Sequence, residues 1–349
     1  MEILEYSYAT LCDCLKSRFG RGKGDAIAIL RQVHRRGNTR FREDPDLARN
    51  PDVARRYEKE ISLTLPDVVD QQQEDETTKL LFRLADGQMI ESVLVPMARY
   101  TTICVSSQVG CRMGCAFCQT AKMGLVRQLT TAEIVAQVYW AKQVAKAPIR
   151  NVVFMGMGEP LDNFANLARA LGVLSDQRGL DIAPRHVTVS TVGLGDGITR
   201  LADLEQPLLN LAVSLNAPND RLRNRLMPVN HTTPLADLQA SLAAYALHPK
   251  GALLISYVLI PDLNDTERCA DELAHFVSPL RAKINLIPVN PCPDTPFRAP
   301  ERHAVERFRD LLVDRGVFVR RRTPKGQAIM AACGQLGARR SLDPSQVQR

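Results

Sequence analysis

The sequence predicts an α/β fold, an incomplete (β/α)6 barrel of the TIM type, preceded by a small helical domain and a linking β-hairpin. Three observations predict it. From about residue 101, apolar strand-like runs alternate six times with helical runs. Those runs are continuously apolar, as expected of parallel strands covered on both faces. Upstream lie a basic stretch with near-helical apolar spacing and two alternating strands around Asp86-Gly87.

The elements follow in order. Residues 1–75 read as a helical, basic accessory domain, with Leu11, Leu15, Ile27, Ile29, Leu30 and Val33 at near-helical spacing and Gly20, Gly22, Gly24 and Gly37 as breaks. Residues 76–100 read as a hairpin linker. Residues 101–325 form the barrel, its strands expected at 101–109, 151–157, 186–192, 208–215, 252–260 and 283–289. Each strand is followed by a helical run. Six units rather than eight leave the barrel incomplete. Residues 326–349 carry Cys333 among small residues beside Gly334, which predicts a mobile segment.

Composition narrows the class. With 349 residues, 45% hydrophobic and 24% charged, the chain can bury a large core. No apolar run reaches the roughly 18 residues that span a bilayer, and the N-terminus lacks a signal-like apolar segment, so a cytoplasmic protein without membrane contact is expected. Nine cysteines in a chain of this length suit unpaired thiols in a reducing compartment. The net charge of +7 favours a polyanionic partner. It is concentrated at residues 16–42, with nine Lys/Arg against Asp25, and at residues 302–325, with eight against three acids. Two such clusters flanking a core point to nucleic acid, although either could be a solvated face.

The most specific signal is the run Cys111, Cys115 and Cys118, spaced C-x3-C-x2-C between Gly110 and Gly124. Three close thiolates can hold three irons of a four-iron cluster and leave the fourth open. Structural zinc takes four closed ligands, and the nearest fourth candidate, Cys104, lies seven residues upstream. With Phe117 before the third cysteine, the run resembles the cluster loop of radical S-adenosylmethionine (SAM) enzymes. A [4Fe-4S] cluster and SAM are the cofactors this implies. The loop follows the first strand, and chemistry in parallel α/β folds gathers at strand C-terminal ends.

Later strand ends supply the other candidates. Gly158 and Glu159 lie in GMGEP and resemble the superfamily motif that binds the SAM amino group. Ser190, Ser214, Asn216 and Asn290 offer hydroxyl and amide groups suited to a ribose and adenine, or simply to capping strands. Cys12, Cys14, Cys269 and Cys292 read as structural thiols, Trp140 as a packed side chain, and the six histidines lack metal spacing.

Taken together, CVSSQVGC, the cysteine run, MGMGEPL, SLNAPND, NLIPVNP and AACGQL resemble, in order across residues 80–340, the RNA adenine methyltransferases of the RlmN/Cfr type. That resemblance implies a methyltransferase acting on C2 of an adenine in 23S ribosomal RNA, with transfer RNA as a further substrate. Cys333 would carry the methyl group and Cys104 would resolve the RNA crosslink through a transient disulfide. Glu91 occupies the place of the family's proposed base. A reducing donor such as flavodoxin is implied, and a monomer is expected. Asn216 stands where many relatives have His, and the residues before AACGQ also depart. Two other readings stay open: a C8-directed or otherwise divergent radical methylase, and a non-catalytic RNA binder stabilised by zinc or a cluster.

Overall fold

The computed structural model describes residues 1–337 apart from 205, 207, 246, 250, 293, 294, 323 and 324. The part of the expected mobile segment at 338–349 therefore lies outside the described residues.

Local signals start the N-terminal helices. In α1 (Tyr8–Phe19) the Ser7 side chain caps Thr10 N, and Gly20 closes the helix at φ +65°. Helix α2 (Lys23–Leu30) runs on into a π-helical turn at Arg31–Arg35. Helix α3 (Pro51–Glu60) has Asn50 as its cap and Pro51 in its first turn. Leu11, Leu15, Phe41 and Tyr57 are buried among these helices. The basic run is largely neutralised within this layer: Arg18, Arg21, Arg31, Arg36, Arg40 and Arg42 all form ion pairs with nearby acids. Its polyanion signal is thus weaker than the sequence suggests.

A ten-stranded open sheet organises the rest. Strands β1 (Asp67–Glu74), β2 (Thr77–Arg83) and β3 (Met89–Met97) are antiparallel, and β3 pairs antiparallel with β4 (Tyr100–Cys104). The helical reading of residues 1–75 therefore fails at β1. Its sequence DVVDQQQE has one short apolar pair and five polar residues after it, the pattern of an exposed edge strand rather than of a half-buried one. The hairpin exists as read, but its strands continue the main sheet.

The first barrel strand also ends sooner than expected, at Cys104. Residues Gln108–Cys111 form β5, which pairs with β6 (Gly124–Gln128) as a separate ribbon, with α4 (Gln119–Lys122) between them. Helix α5 (Thr131–Tyr139) starts with a capping box between Thr130 and Glu133. Then come β7 (Ile149–Phe154), α6 (Phe164–Ser175), β8 (Val187–Thr191), α7 (Gly195–Ala202), β9 (Asn210–Ser214), α8 (Asp220–Leu226), α9 (Leu235–Ala244), β10 (Leu253–Leu259), α10 (Glu267–Val277), β11 (Ala282–Pro288) and α11 (Arg302–Asp314). The six strands β4, β7, β8, β9, β10 and β11 pair in parallel in that order. A short seventh, β12 (Val319–Arg321), adds at the β11 edge.

Both faces of the parallel strands are buried, through residues such as Val152, Val189, Leu211, Val213, Ile255 and Leu286. Trp140 packs edge-on against Phe82 at 5.5 Å. The helical layer is pinned to the barrel by Tyr139 Oη donating to Val33 O at 2.9 Å and Gln143 Nε2 donating to His34 O at 2.5 Å. No helix among the described residues is long and apolar enough to cross a membrane.

Candidate active site

The parallel strand ends surround one cavity. Its walls include Cys115 and Cys118 from the cysteine loop, Gly158 and Glu159 after β7, Ser190 on β8, Ser214 and Asn216 at the end of β9, Asn290 after β11, and Cys333. Cys111 is buried at the root of the same loop.

The loop is shaped by backbone constraints. At Gly110 (φ +74°) a Cβ would sit 1.8 Å from the carbonyl oxygen of Gly124, so the β5–β6 ribbon closes only on a glycine. Ala116 N donates to Leu226 O at 2.9 Å, and Gly114 abuts Pro228, which fixes the loop to the end of α8. Burial pushes the Cys111 thiol up to about 12 and raises Cys115 and Cys118 as well, with charge from Cys118 adding to the first two and charge from Cys333 adding to Cys118. Three such thiols stay anionic together only around a strongly positive centre. Among the described residues no three His, Cys, Asp or Glu side chains converge on a single-ion site. Three thiols at this spacing can each take one iron corner of a four-iron cluster.

The opposite wall suits a cationic amine. Glu159 is 2% exposed and accepts from Leu161 N at 3.1 Å and Val192 N at 2.8 Å. No basic side chain pairs with it among the described residues, and burial lifts its carboxyl to about 7. Two glycines bring this wall close to the stretch that runs from the end of β4 into β5. A Cβ on Gly156 would meet Val105 O at 2.6 Å, and one on Gly158 would meet the Gln108 side chain at 2.6 Å. Gln108 in turn accepts from Glu159 N at 2.7 Å. An ammonium beside Glu159 would supply the missing charge, which is the fit expected of SAM.

Two amides expected to meet a ribose or adenine are engaged within the protein. Asn216 sits at φ +58°, where its Oδ1 accepts from Val258 N at 2.9 Å and its Nδ2 donates to Met227 Sδ at 3.3 Å. Asn290 Nδ2 donates to Cys333 O at 3.0 Å, and its Oδ1 accepts from Gln327 Nε2 at 2.7 Å. Both line the cavity, but here Asn216 clamps strand ends and Asn290 holds the C-terminal segment.

That segment is docked over the cavity. Gln119 N donates to Gly334 O at 2.8 Å, Thr120 Oγ1 to Leu336 O at 2.5 Å, and Gln335 Nε2 to Pro291 O at 2.9 Å. Cys104, at the end of β4, lies near enough to Cys333 to feel its charge. Burial pushes its thiol up to about 12, with Cys333 adding to the shift and the Arg322 guanidinium opposing it. Arg322 lines the cavity beside Cys333, and charge from both thiols raises its own pKa. All nine cysteines are free thiols. Glu91 stands apart from the cavity wall. It is 5% exposed, lies 3.4 Å from Lys79 Nζ, and accepts from Gly337 N at 2.8 Å.

Sequence reasoning missed three charged groups: Arg322, Lys79 and Arg223. The first was the last residue of a basic run and the second one lysine on a strand. The third is the largest fully buried side chain among the described residues, yet it sits in DRLRNRL, which reads as a solvated helix. No local pattern marks any of them.

Residues 105–273 match the family model described as the radical SAM superfamily. A probable dual-specificity RNA methyltransferase RlmN 1 from Protochlamydia amoebophila is 41% identical, over 97% of this chain and 94% of its own. A dual-specificity RNA methyltransferase RlmN from Syntrophotalea carbinolica is 43% identical, over 94% and 86%. The crystal structure of a radical SAM methyltransferase from Sphaerobacter thermophilus superposes with a TM-score of 0.88 at 38% identity, over 96% of this chain and 99% of that one. Relatives this similar along nearly their whole length, together with the open cysteine loop and the amine-binding wall, show that the chain belongs to the RlmN family of radical SAM methyltransferases, enzymes that use a [4Fe-4S] cluster and SAM.

Proposed function

We propose that this enzyme methylates C2 of an adenine in 23S ribosomal RNA, and also in transfer RNA, with Cys333 as the methyl carrier. The observation that carries the reading is the meeting of Cys333, from the end of the chain, with Cys118 and Glu159 in one cavity, and with Cys104 beside it. A binding protein has no use for two further thiols next to an open cluster. The adenine C2 carbon is electron-poor, so direct displacement at SAM is closed to it. The cluster and SAM supply one-electron cleavage of a C–H bond, and the protein positions that chemistry.

The chain's own residues do the rest. Cys333 Sγ takes a methyl group from one SAM, whose sulfonium leaves as a neutral thioether. The one-electron chemistry that the cluster and a second SAM would supply removes one hydrogen atom from that methyl group, its carbon bonds to adenine C2, and the surplus electron of the adduct would return to the cluster. Glu91 removes the ring proton. Cys104 attacks Cys333 Sγ, the S–C bond breaks with its electron pair left on the carbon, and that carbon takes up a proton to become the methyl group of the base. A Cys104–Cys333 disulfide remains for an external donor of the flavodoxin kind to reduce with two electrons. Glu91 is held by Gly337 in the docked segment, so we place segment movement within the cycle. Cys111, Cys115 and Cys118 hold the cluster, and Gly158, Glu159, Ser190 and Ser214 border the SAM pocket. A monomer in a reducing cytoplasm suits the free thiols.

Two experiments test this. Nucleoside mass spectrometry of RNA from cells lacking the enzyme should show loss of 2-methyladenosine. Loss of 8-methyladenosine instead, or of neither, overturns the assignment. The Cys104→Ala protein should purify covalently bound to RNA, and an RNA-free protein with normal turnover would refute the resolving role.

A further inference from the structure

Arg223 is a fully buried guanidinium without a carboxylate partner among the described residues. Its donors reach only neutral oxygens: Leu215 O at 3.3 Å, Asn230 Oδ1 at 2.8 Å, Thr233 O at 3.3 Å and Val192 O at 2.6 Å. Neutral acceptors satisfy its N–H groups but leave its charge uncompensated, which is costly in a dry interior. The negative groups facing it are the Cys115 sulfur and Asp220 one turn earlier on α8. Asp220 Oδ1 is already committed to Asn230 Nδ2 and Leu235 N, both at 2.9 Å. Two structural ties hold the cation near Cys115. The cysteine loop hydrogen-bonds to Leu226, three residues after Arg223, and Val192 joins the guanidinium through its carbonyl to Glu159 through its N–H.

We propose that Arg223 is the internal counter-cation of the cluster, a positioning residue that raises the potential at which the cluster accepts its electron. The inference rests on the cluster assignment above. Three thiolates make the loaded centre net negative, and each added electron makes it more so. A fixed positive charge in a medium without water favours the reduced form. The sequence places this cation on α8, the helix whose last residue, Leu226, is hydrogen-bonded to the cysteine loop, so the packing of α8 against the loop sets the electrostatics of the site.

The test compares Arg223→Met, Arg223→Lys and the parent enzyme after anaerobic reconstitution. Iron is counted first, then the midpoint potential is read by electron paramagnetic resonance titration without SAM. Arg223→Met with about four irons should show a more negative midpoint and a smaller reduced fraction at a fixed dithionite excess. Arg223→Lys should recover most of the shift. An unchanged midpoint in an iron-replete Arg223→Met protein overturns the proposal. Should the methionine variant fail to load, the lysine variant decides: a midpoint equal to that of the parent supports the charge, and iron loading with a strongly lowered midpoint refutes it. Failure of all three proteins, parent included, to bind four irons would strike the cluster assignment itself.

Discussion

The cysteine loop and the C-terminal segment deliver thiols to the same cavity, and they are held in opposite ways. The loop is anchored by main-chain contacts at both ends: the β5–β6 ribbon on one side, and the Ala116–Leu226 bond with the Gly114–Pro228 contact on the other. The segment near Cys333 makes no ladder or helix. It hangs on side-chain links from Asn290, Thr120 and Gln335, with Gln119 N–H giving one of its few main-chain contacts. Ligands to a fixed inorganic centre need constant geometry, whereas a thiol in the proposed carrier role needs a tether that releases. Side-chain links break one at a time, and ribbons do not.

The largest test of this contrast is to delete one thiol from each region. Cys115→Ala should abolish both iron loading and methylation. Cys333→Ala should abolish methylation while leaving about four irons per chain. Retained methylation by Cys333→Ala would refute the carrier role. Next in size is the charge beside the paired thiols. The Cys104 thiol, pushed up to about 12, is almost fully protonated at neutral pH. Crosslink release should therefore quicken about tenfold per pH unit between pH 7 and 9, since only the thiolate attacks. Removing the Arg322 charge raises the thiol further, so Arg322→Met should slow release roughly tenfold for each added unit. Single-turnover kinetics followed by gel shift would show a flat profile if another step limits.

Loosening the tether comes third. Gln335→Leu leaves the Pro291 carbonyl without its donor, a loss of about 1–3 kcal/mol. Alkylation of Cys333 in the apoprotein should accelerate on the order of tenfold, with no change at Cys115. Equal acceleration at both sites would erase the contrast.

The amine wall gives a pH signature for the apoprotein. Glu159 titrates near 7 in the fold, above the ordinary range for a carboxylic acid. Its contribution is fully present below about pH 4.5 and is lost as pH rises toward 7, about 3 kcal/mol in all. Denaturant unfolding at pH 5 and pH 8 should reveal this loss, and Glu159→Gln should flatten it. The smallest effect lies outside both regions. Thr130→Ala removes the capping box of α5 and should cost about 1 kcal/mol with methylation unchanged.

What the sequence made legible was whatever depends on near neighbours along the chain. The spacing of Cys111, Cys115 and Cys118, the glycines before Glu159, and the alternation of apolar strands with helices all declare themselves locally. Strand β1 did not, because an edge strand with one wet face carries little apolar periodicity. Arg223 did not either, since whether an arginine is solvated or sealed depends on what α8 packs against. The basic run at 16–42 misled for the converse reason: its partners, such as Asp44 and Glu58, come from later residues. The capping roles of Asn216 and Asn290 likewise became visible only with the strand ends assembled.

An unclosed sheet leaves two rims where a foreign strand could add itself. Here one rim is β1, bearing Asp67, Asp70 and Glu74, and the other is the three-residue β12 with Arg320 and Arg321. Acid along one border repels a second copy of that border, and the other border is a stub of three residues, too short to template a strand. The protein can thus keep its barrel open, with room for a large polymeric substrate, without becoming a seed for aggregation.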